Sequence, residues 1–428
     1  MKLILDVENT VTKKNGKMHL DPFEPTNKLV MVGIRDDHAN TYIYDMAESS
    51  SNIQEMLDKA TVLIGHNIAY DLMWLWECGF KYDGVVFDTM LAEYIMQRGV
   101  KEPLSLEACA ERYKLETQKQ DTLKKYFAEG KGVDEIPKDE LAEYLTADLK
   151  ATQELCNVQY KKLNTQEYAG LMESVILTNK VAVTLAKIYR NGFKVDQDKL
   201  REVKEEFEQE KLEIEERLTK QVKELMGDTP INLNSPEQMS WVIYSRKPKD
   251  KALWGNSFHP NMLPKHFKNA IAYNSTVLYK TEAMQCLNCR GTGQVRKIKK
   301  NGQPFAKPST CSHCGGQGYK FIPTKHIAGL KFSAPNSKWV SAHGFTVSKT
   351  NLDTLYNVAK DRYMTQAMSF LKDIQRLSAL DTYLSSFVEG IEGYVKPDGL
   401  LHVRLLQHRT ATGRFSGADP NMQNMPRG

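Results

Sequence analysis

The period of the apolar positions changes along the chain. At the start, Lys2-Leu3-Ile4-Leu5-Asp6-Val7-Glu8 is a short aliphatic run, the pattern of a strand buried on one or both faces. Residues 29–34 and 41–44 repeat it on either side of a polar turn at 36–40, and residues 60–64 add another short strand. Helical spacing begins near Ser51, returns after His66 and runs from Glu143 through Leu155. An antiparallel start followed by mixed strands and helices predicts an α/β sheet domain. Beyond Tyr168 the period is helical. Residues 175–186 suit a buried helix ending at Arg190 with Gly192 as its cap. Leu200, Val203, Phe207, Ile214, Leu218, Val222 and Leu225 then make one apolar stripe on a long charged helix, which a coiled-coil arm fits equally well. A further helix is predicted after Asn234 or Ser235 as cap, with Pro236 in its first position. The last one carries Leu371, Ile374, Leu377, Leu380, Leu384 and Phe387 along one side.

Length changes the picture only by allowing two or three cored domains in 428 residues. Charge changes it more. From Lys251 to Leu352 there are 15 Lys or Arg against the single acid Glu282, a net of +14 in a chain whose total is +5, so the remainder carries −9. So one-sided a block suits a polyanion. Asp6 and Glu8 interrupt the first apolar run before it can act as a secretory signal. No apolar run approaches the roughly 20 residues of a membrane-spanning helix, and a cytoplasmic location is expected. Of seven cysteines, four form two C-x-x-C pairs and Cys78, Cys109 and Cys156 are scattered, a usage that fits a reducing compartment.

Asp6 and Glu8 are two apart on a strand and so emerge on one side. Two carboxylates that close repel unless a cation or proton lies between them. Asn67 and Asp71 are four apart, as are Tyr144 and Asp148, which on a helix places each pair on one face. Taken singly, an Asn cap with a first-turn acid, or a plain helix pair, accounts for each. Asp88 or Thr89 reads as a helix cap. In order and company, D-x-E, N-x-x-x-D and Y-x-x-x-D resemble the DEDD 3′→5′ exonucleases of ribonuclease H-like fold, in the tyrosine-bearing form. The surrounding GHNIAYDL and FDTMLAEY resemble the proofreading domain of family A DNA polymerases. The resemblance implies that Asp6, Glu8, Asp71 and Asp148 are metal-binding carboxylates, that Tyr144 orients the attacking water, and that Asn67 touches DNA. Asn9 departs from the threonine many relatives carry there, with a consequence for how the terminal nucleotide is held. An all-oxygen ligand set suits two Mg²⁺ or Mn²⁺ ions rather than zinc, one beside the water and one beside the leaving 3′-oxygen of a phosphodiester.

Cys286-x-x-Cys289-x-Gly291-x-Gly293 and Cys311-x-x-Cys314-x-Gly316-x-Gly318 are near duplicates. Four thiolates in two such turns predict one structural Zn²⁺, with His313 outside the set. Arg296, Lys297, Lys299 and Lys300 between the knuckles, with Tyr319 and Phe321 nearby, suit a phosphate-tracking surface. Docking of a processivity factor on this insertion is the competing reading.

Residues 409–426, with Arg409, Thr412, Arg414, Gln423 and Asn424, resemble the T-x-T-G-R-x-S-S…P-N-L-Q-N-I-P signature that opens the family A palm, where Gly417 and Met422 are mild departures. The resemblance implies that these five residues contact primer–template DNA, Arg414 as a forked donor in the minor groove. The sequence stops before the palm aspartate and the fingers helix, which leaves two readings, a polymerase encoded as two polypeptides or a longer chain cut at this point. The first is expected, with a C-terminal palm/fingers polypeptide as partner, in an infected bacterial cell. Four segments are expected: 1–163, the exonuclease domain; 164–250, linker helix and thumb; 251–330, the basic zinc-ribbon insertion; 331–428, the rest of the thumb and the palm entry. The expected function is proofreading exonuclease and DNA grip within a replicative polymerase. A self-sufficient exonuclease and a non-enzymatic zinc-containing DNA scaffold are the alternatives.

Overall fold

The computed structural model describes residues 1–14, 16–48, 50–117, 123–248, 275–299, 302–333, 340–341 and 344–425. They form two compact units, residues 1–202 with 385–428, and residues 203–384.

The first unit is α/β, as its sequence pattern predicts. Its sheet comprises β1 (Lys2–Asn9), β2 (Leu29–Asp36), β3 (Thr41–Asp45), β4 (Val62–Gly65) and β5 (Val85–Asp88), in spatial order β3-β2-β1-β4-β5. β1 is central, antiparallel to β2 and parallel to β4. With a partner on each edge and helices on its faces, it buries Leu3, Ile4 and Leu5 together, which is why the run lacks strict alternation.

The helices packed around the sheet include α1 (Ile68–Glu77), α2 (Thr89–Met96), α3 (Lys138–Leu163) and α4 (Leu171–Asn191). α3 packs on β1 and β2. Its close approach is made at Gly33, opposite Asp6 in the β1–β2 register. A Cβ at Gly33 would stand 2.8 Å from both Leu145 Cγ and Leu149 Cδ1, nearer than carbon atoms tolerate, so only glycine admits the helix at this depth. The register of α3 along its axis is fixed further on. Buried Gln159 donates from Nε2 to Thr89 O at 2.9 Å and to the Glu93 carboxylate at 3.0 Å. Glu93 is buried and also receives Arg112 at 2.9 Å and the Tyr113 hydroxyl at 2.9 Å, the pairing a buried carboxyl group requires.

Residues 385–428 fold onto this same unit. Leu400–Leu401 pairs with Phe193–Lys194, Tyr94 donates its hydroxyl to Thr410 O at 2.8 Å, and His402 stacks on Phe23 with ring centroids 3.8 Å apart. Lys396 Nζ lies 3.0 Å from Asp21 Oδ1, and both side chains are buried.

In the second unit, the expected stripe supplies Ile214, Leu218, Val222 and Leu225 to a core shared with α5 (Pro236–Tyr244), α6 (Lys349–Asp361) and α7 (Thr365–Thr382). The stripe is therefore satisfied within the chain. Ser235 caps α5, its Oγ accepting from Gln238 N at 3.4 Å, and Pro236 takes the first helical position. Strands β6 (Tyr279–Gln285) and β9 (Tyr319–Ile327) pair as an antiparallel arm, with β7 (Gln294–Val295) and β8 (Ser309–Thr310) pairing between them. Residues 251–274 and Lys300 of the basic insertion lie outside the described residues.

Candidate active site

β4 pairs with β1 only from Lys2 to Ile4. Past that point the β4-side edge of β1 is open, and α1 fills it. The Val7 N–H donates to Asp71 Oδ1 at 3.1 Å and also lies 3.1 Å from Asp6 Oδ1. One backbone donor thus draws two carboxylates together at the end of the pairing. Glu8 lies two residues beyond Asp6 on the same strand, and both are partly exposed while the intervening Val7 is buried. Asp71 is buried. Burial pushes its pKa well above the ordinary carboxylate range, the negative charge of Asp6 adds to that and Asp88 adds further, against the opposing pull of the Val7 N–H. A donor set this crowded with like charge fits a divalent cation, which relieves both burial and repulsion.

α3 supplies the other two residues. Leu145 and Leu149, the side chains seated over Gly33, each follow a site residue, Tyr144 and Asp148. Asp148 is buried and Tyr144 half-buried on the helix that packs against β1. The structure therefore joins Asp6 and Asp71 directly and brings Glu8, Tyr144 and Asp148 in on β1 and α3. Among the described residues, no three of these carboxylates have oxygens all within 4.8 Å of one another.

Asn67 differs from its expected place. It precedes α1 in a left-handed conformation at φ 71° and makes no side-chain cap, so it does not share a helix face with Asp71. Its turn is organised by Asp88, whose carboxylate accepts from the N–H groups of Asn67, Ile68, Met90 and Leu91 at 2.9–3.1 Å. Asp88 caps α2, as read from the sequence, and at the same time holds the start of α1. Burial raises its pKa to about 6 despite the four donors. Asn9 is also explained. Its Oδ1 lies 2.8 Å from the Tyr70 hydroxyl, and its Nδ2 donates to Thr10 O at 2.8 Å, so it ties the end of β1 to α1 just before Asp71. Gly33 and this Asn9–Tyr70 link are the parts of the site that motif reading missed. A lone glycine within an apolar strand was the one available signal for the first.

Arg409, Thr412 and Arg414 are exposed on the loop after Leu406, which Tyr94 anchors at Thr410. Gln423 Oε1 accepts from Gly417 N at 2.7 Å. Asn424 sits in the turn Met422–Asn424, its side chain outside the described residues.

In the second unit the four thiols form the cluster expected of them. Cys286 and Cys311 sulfurs are 3.9 Å apart and those of Cys289 and Cys314 3.6 Å, with all four within 4.8 Å. Zn–S bonds of about 2.3 Å in a tetrahedron require sulfurs about 3.8 Å apart. The set is thus compatible with zinc. Asn288 Nδ2 donates to Cys311 Sγ at 3.2 Å and is the chief reason that thiol is pushed down to about 6. Gly293 and Gly318, both at positive φ, cross the opposite knuckle so closely that a Cβ would lie 2.1 Å from Gly316 O and 2.3 Å from Gly291 O.

The 3′-5′ exonuclease family model of A-type DNA polymerases matches residues 17–164, beginning after β1. A DNA polymerase of Bacillus phage SP01 is 25% identical over 385 residues, covering 88% of this chain and 35% of the relative. DNA polymerase I of Bacillus subtilis is 28% identical over 351 residues, covering 81% and 28%. The chain thus spans about a third of the length of these relatives. A solved POL domain of Pol1 from M. smegmatis, in complex with DNA primer-template and dNTP, is similar in fold, with a TM-score of 0.58, 17% identity, and coverage of 100% of this chain and 52% of that one.

Proposed function

We propose, for a chain that carries a 3′-5′ exonuclease domain of the family A DNA polymerase type, that it removes nucleotides from DNA 3′ ends as the proofreading part of a phage replication polymerase. The observation that carries this is the meeting of Asp6 and Asp71 at the Val7 N–H, where β4 leaves β1. Asp6, Glu8, Asp71 and Asp148 would hold two Mg²⁺ or Mn²⁺ ions, whose positive charge favours attack by water and departure of the 3′-oxygen. Water adds to the terminal phosphorus, the P–O3′ bond breaks, and a 5′-mononucleotide is released. Tyr144, with a phenol pKa ordinarily near 10, orients the water as a neutral hydrogen-bonding group. Arg409, Thr412, Arg414, Gln423 and Asn424 grip primer–template. Primer extension is proposed for the complex of this chain with a palm/fingers polypeptide. Zn²⁺ on the four cysteines fixes the ribbon.

A 3′-mismatched primer incubated with Mg²⁺ tests the reading. Degradation should depend on the metal and vanish in Asp6→Ala with Glu8→Ala. Undiminished, metal-dependent degradation by the double variant refutes it.

A further inference from the structure

We propose that the hairpin arms between the two knuckles, residues 294–299 and 302–310, bind single-stranded DNA, taking phosphates on Arg296, Lys297, Lys299 and Lys307 and a base on the face of Phe305. DNA is chosen over RNA on the strength of the exonuclease reading, while the surface itself is separate from the candidate nuclease site.

β7 and β8 start the hairpin, and the pairing continues past them. Ile298 bridges Pro304, Lys299 N donates to Gln303 O at 2.7 Å, and Phe305 N donates to Lys297 O at 3.0 Å. The paired backbone brings the basic run 296–299 alongside Phe305, and Lys299 Nζ lies 5.6 Å from the Phe305 ring centroid. Every described residue from 296 to 299 and from 302 to 308 is exposed, with Ile298 at 70% and Phe305 at 48%. The cluster that closes the ribbon beneath them consists of the cysteines with Val295, so among the described residues Phe305 and Ile298 serve no core. From residue 275 to 330 the one acid is Glu282, and among the described residues none of the hairpin cations is ion-paired to a carboxylate.

Phosphates supply the missing counter-charge, and release of their condensed ions drives such binding. The ring decides the form of the polyanion. Duplex DNA stacks its base faces inward, whereas an unpaired strand offers them to an aromatic platform, and a lysine beside the ring adds a cation–π contact. An uncharged or basic protein partner meets nothing on this surface that compensates its cations.

The test uses the full chain with zinc and without Mg²⁺, binding a closed circular single-stranded oligonucleotide that has no 3′ end for the nuclease site. Phe305→Ala should weaken binding about tenfold. Arg296→Ala with Lys297→Ala and Lys299→Ala should flatten the dependence of log affinity on log salt by about 2. Both variants should keep their zinc and, with Mg²⁺ restored, their rate of trinucleotide hydrolysis. Unchanged affinity and salt slope in both variants overturn the proposal and leave the surface to an acidic protein. Equal competition by a closed duplex, with equal loss in Phe305→Ala, overturns the single-strand assignment. Failure of the nuclease reading would show separately, as no trinucleotide hydrolysis by the unsubstituted chain.

Discussion

The sharpest consequence of the structure concerns Gly33, which has no side chain to offer the chemistry. Carbon atoms rest about 3.5–4.0 Å apart, and an alanine Cβ at this position would lie 2.8 Å from Leu145 and Leu149. The shortfall is about 1 Å. Both leucines are fully buried, and the Leu145 contact is made by its branch carbon Cγ rather than a terminal methyl, which limits how far they can yield locally. α3 must therefore back away from β2, at a cost of about 1–3 kcal/mol for overpacking. Tyr144 and Asp148 travel with it, while Asp6, opposite Gly33 on β1, stays with the sheet. A misplacement of about 1 Å at a reacting centre costs on the order of a hundredfold in rate. Gly33→Ala is thus expected to lower kcat for release of the 3′ nucleotide tenfold to a hundredfold, on the order of that estimate, with KM little changed, and to lower the melting temperature by a few degrees. Adding Leu149→Ala removes one of the two clashes and should return part of the rate, although a cavity mutation alone destabilises. The assay is single-turnover release from a short labelled strand beside thermal denaturation. A Gly33→Ala variant with ordinary rate and stability would show that α3 is not held at this depth.

Three further outcomes are expected. Truncating Lys396 to Met leaves Asp21 buried without its partner, which should cost about 3–5 kcal/mol in denaturant unfolding, and Asp21→Asn in the same chain should recover part of it. Asp88 has a folded pKa of about 6 against an ordinary 3.8. Its contribution is therefore complete below about pH 4 and lost as pH rises through about 6, so the stability of the natural chain relative to Asp88→Asn should fall by about 3 kcal/mol over that range; an advantage that stays flat or grows would contradict the burial argument. Cys311→Ser should reduce bound zinc from one per chain to none and open the segment 286–318 to protease, while trinucleotide hydrolysis continues.

What was legible in the sequence and what was not divide along a physical line. Asp6 and Glu8 could be placed on one side of a strand because the strand period depends on nothing distant. Tyr144 and Asp148 could be placed on one helix face for the same reason. The knuckle cysteines were legible because each C-x-x-C turn is local. Asn67 was misplaced by a single residue of helix start: spacing of four has meaning only inside the helix, and the chain enters α1 through a left-handed Asn67. What holds that turn is Asp88, about 20 residues on, and nothing in the local text ties the two together. Lys396 and Asp21, 375 residues apart, left no trace at all. Gly33 lies at the limit of this reasoning. Its strand was evident, yet the space above it belongs to a helix more than a hundred residues later. A motif can thus supply the acids and the phenol, but the depth at which α3 rests on the sheet decides whether they face one phosphate, and that depth is set by an atom the sequence omits.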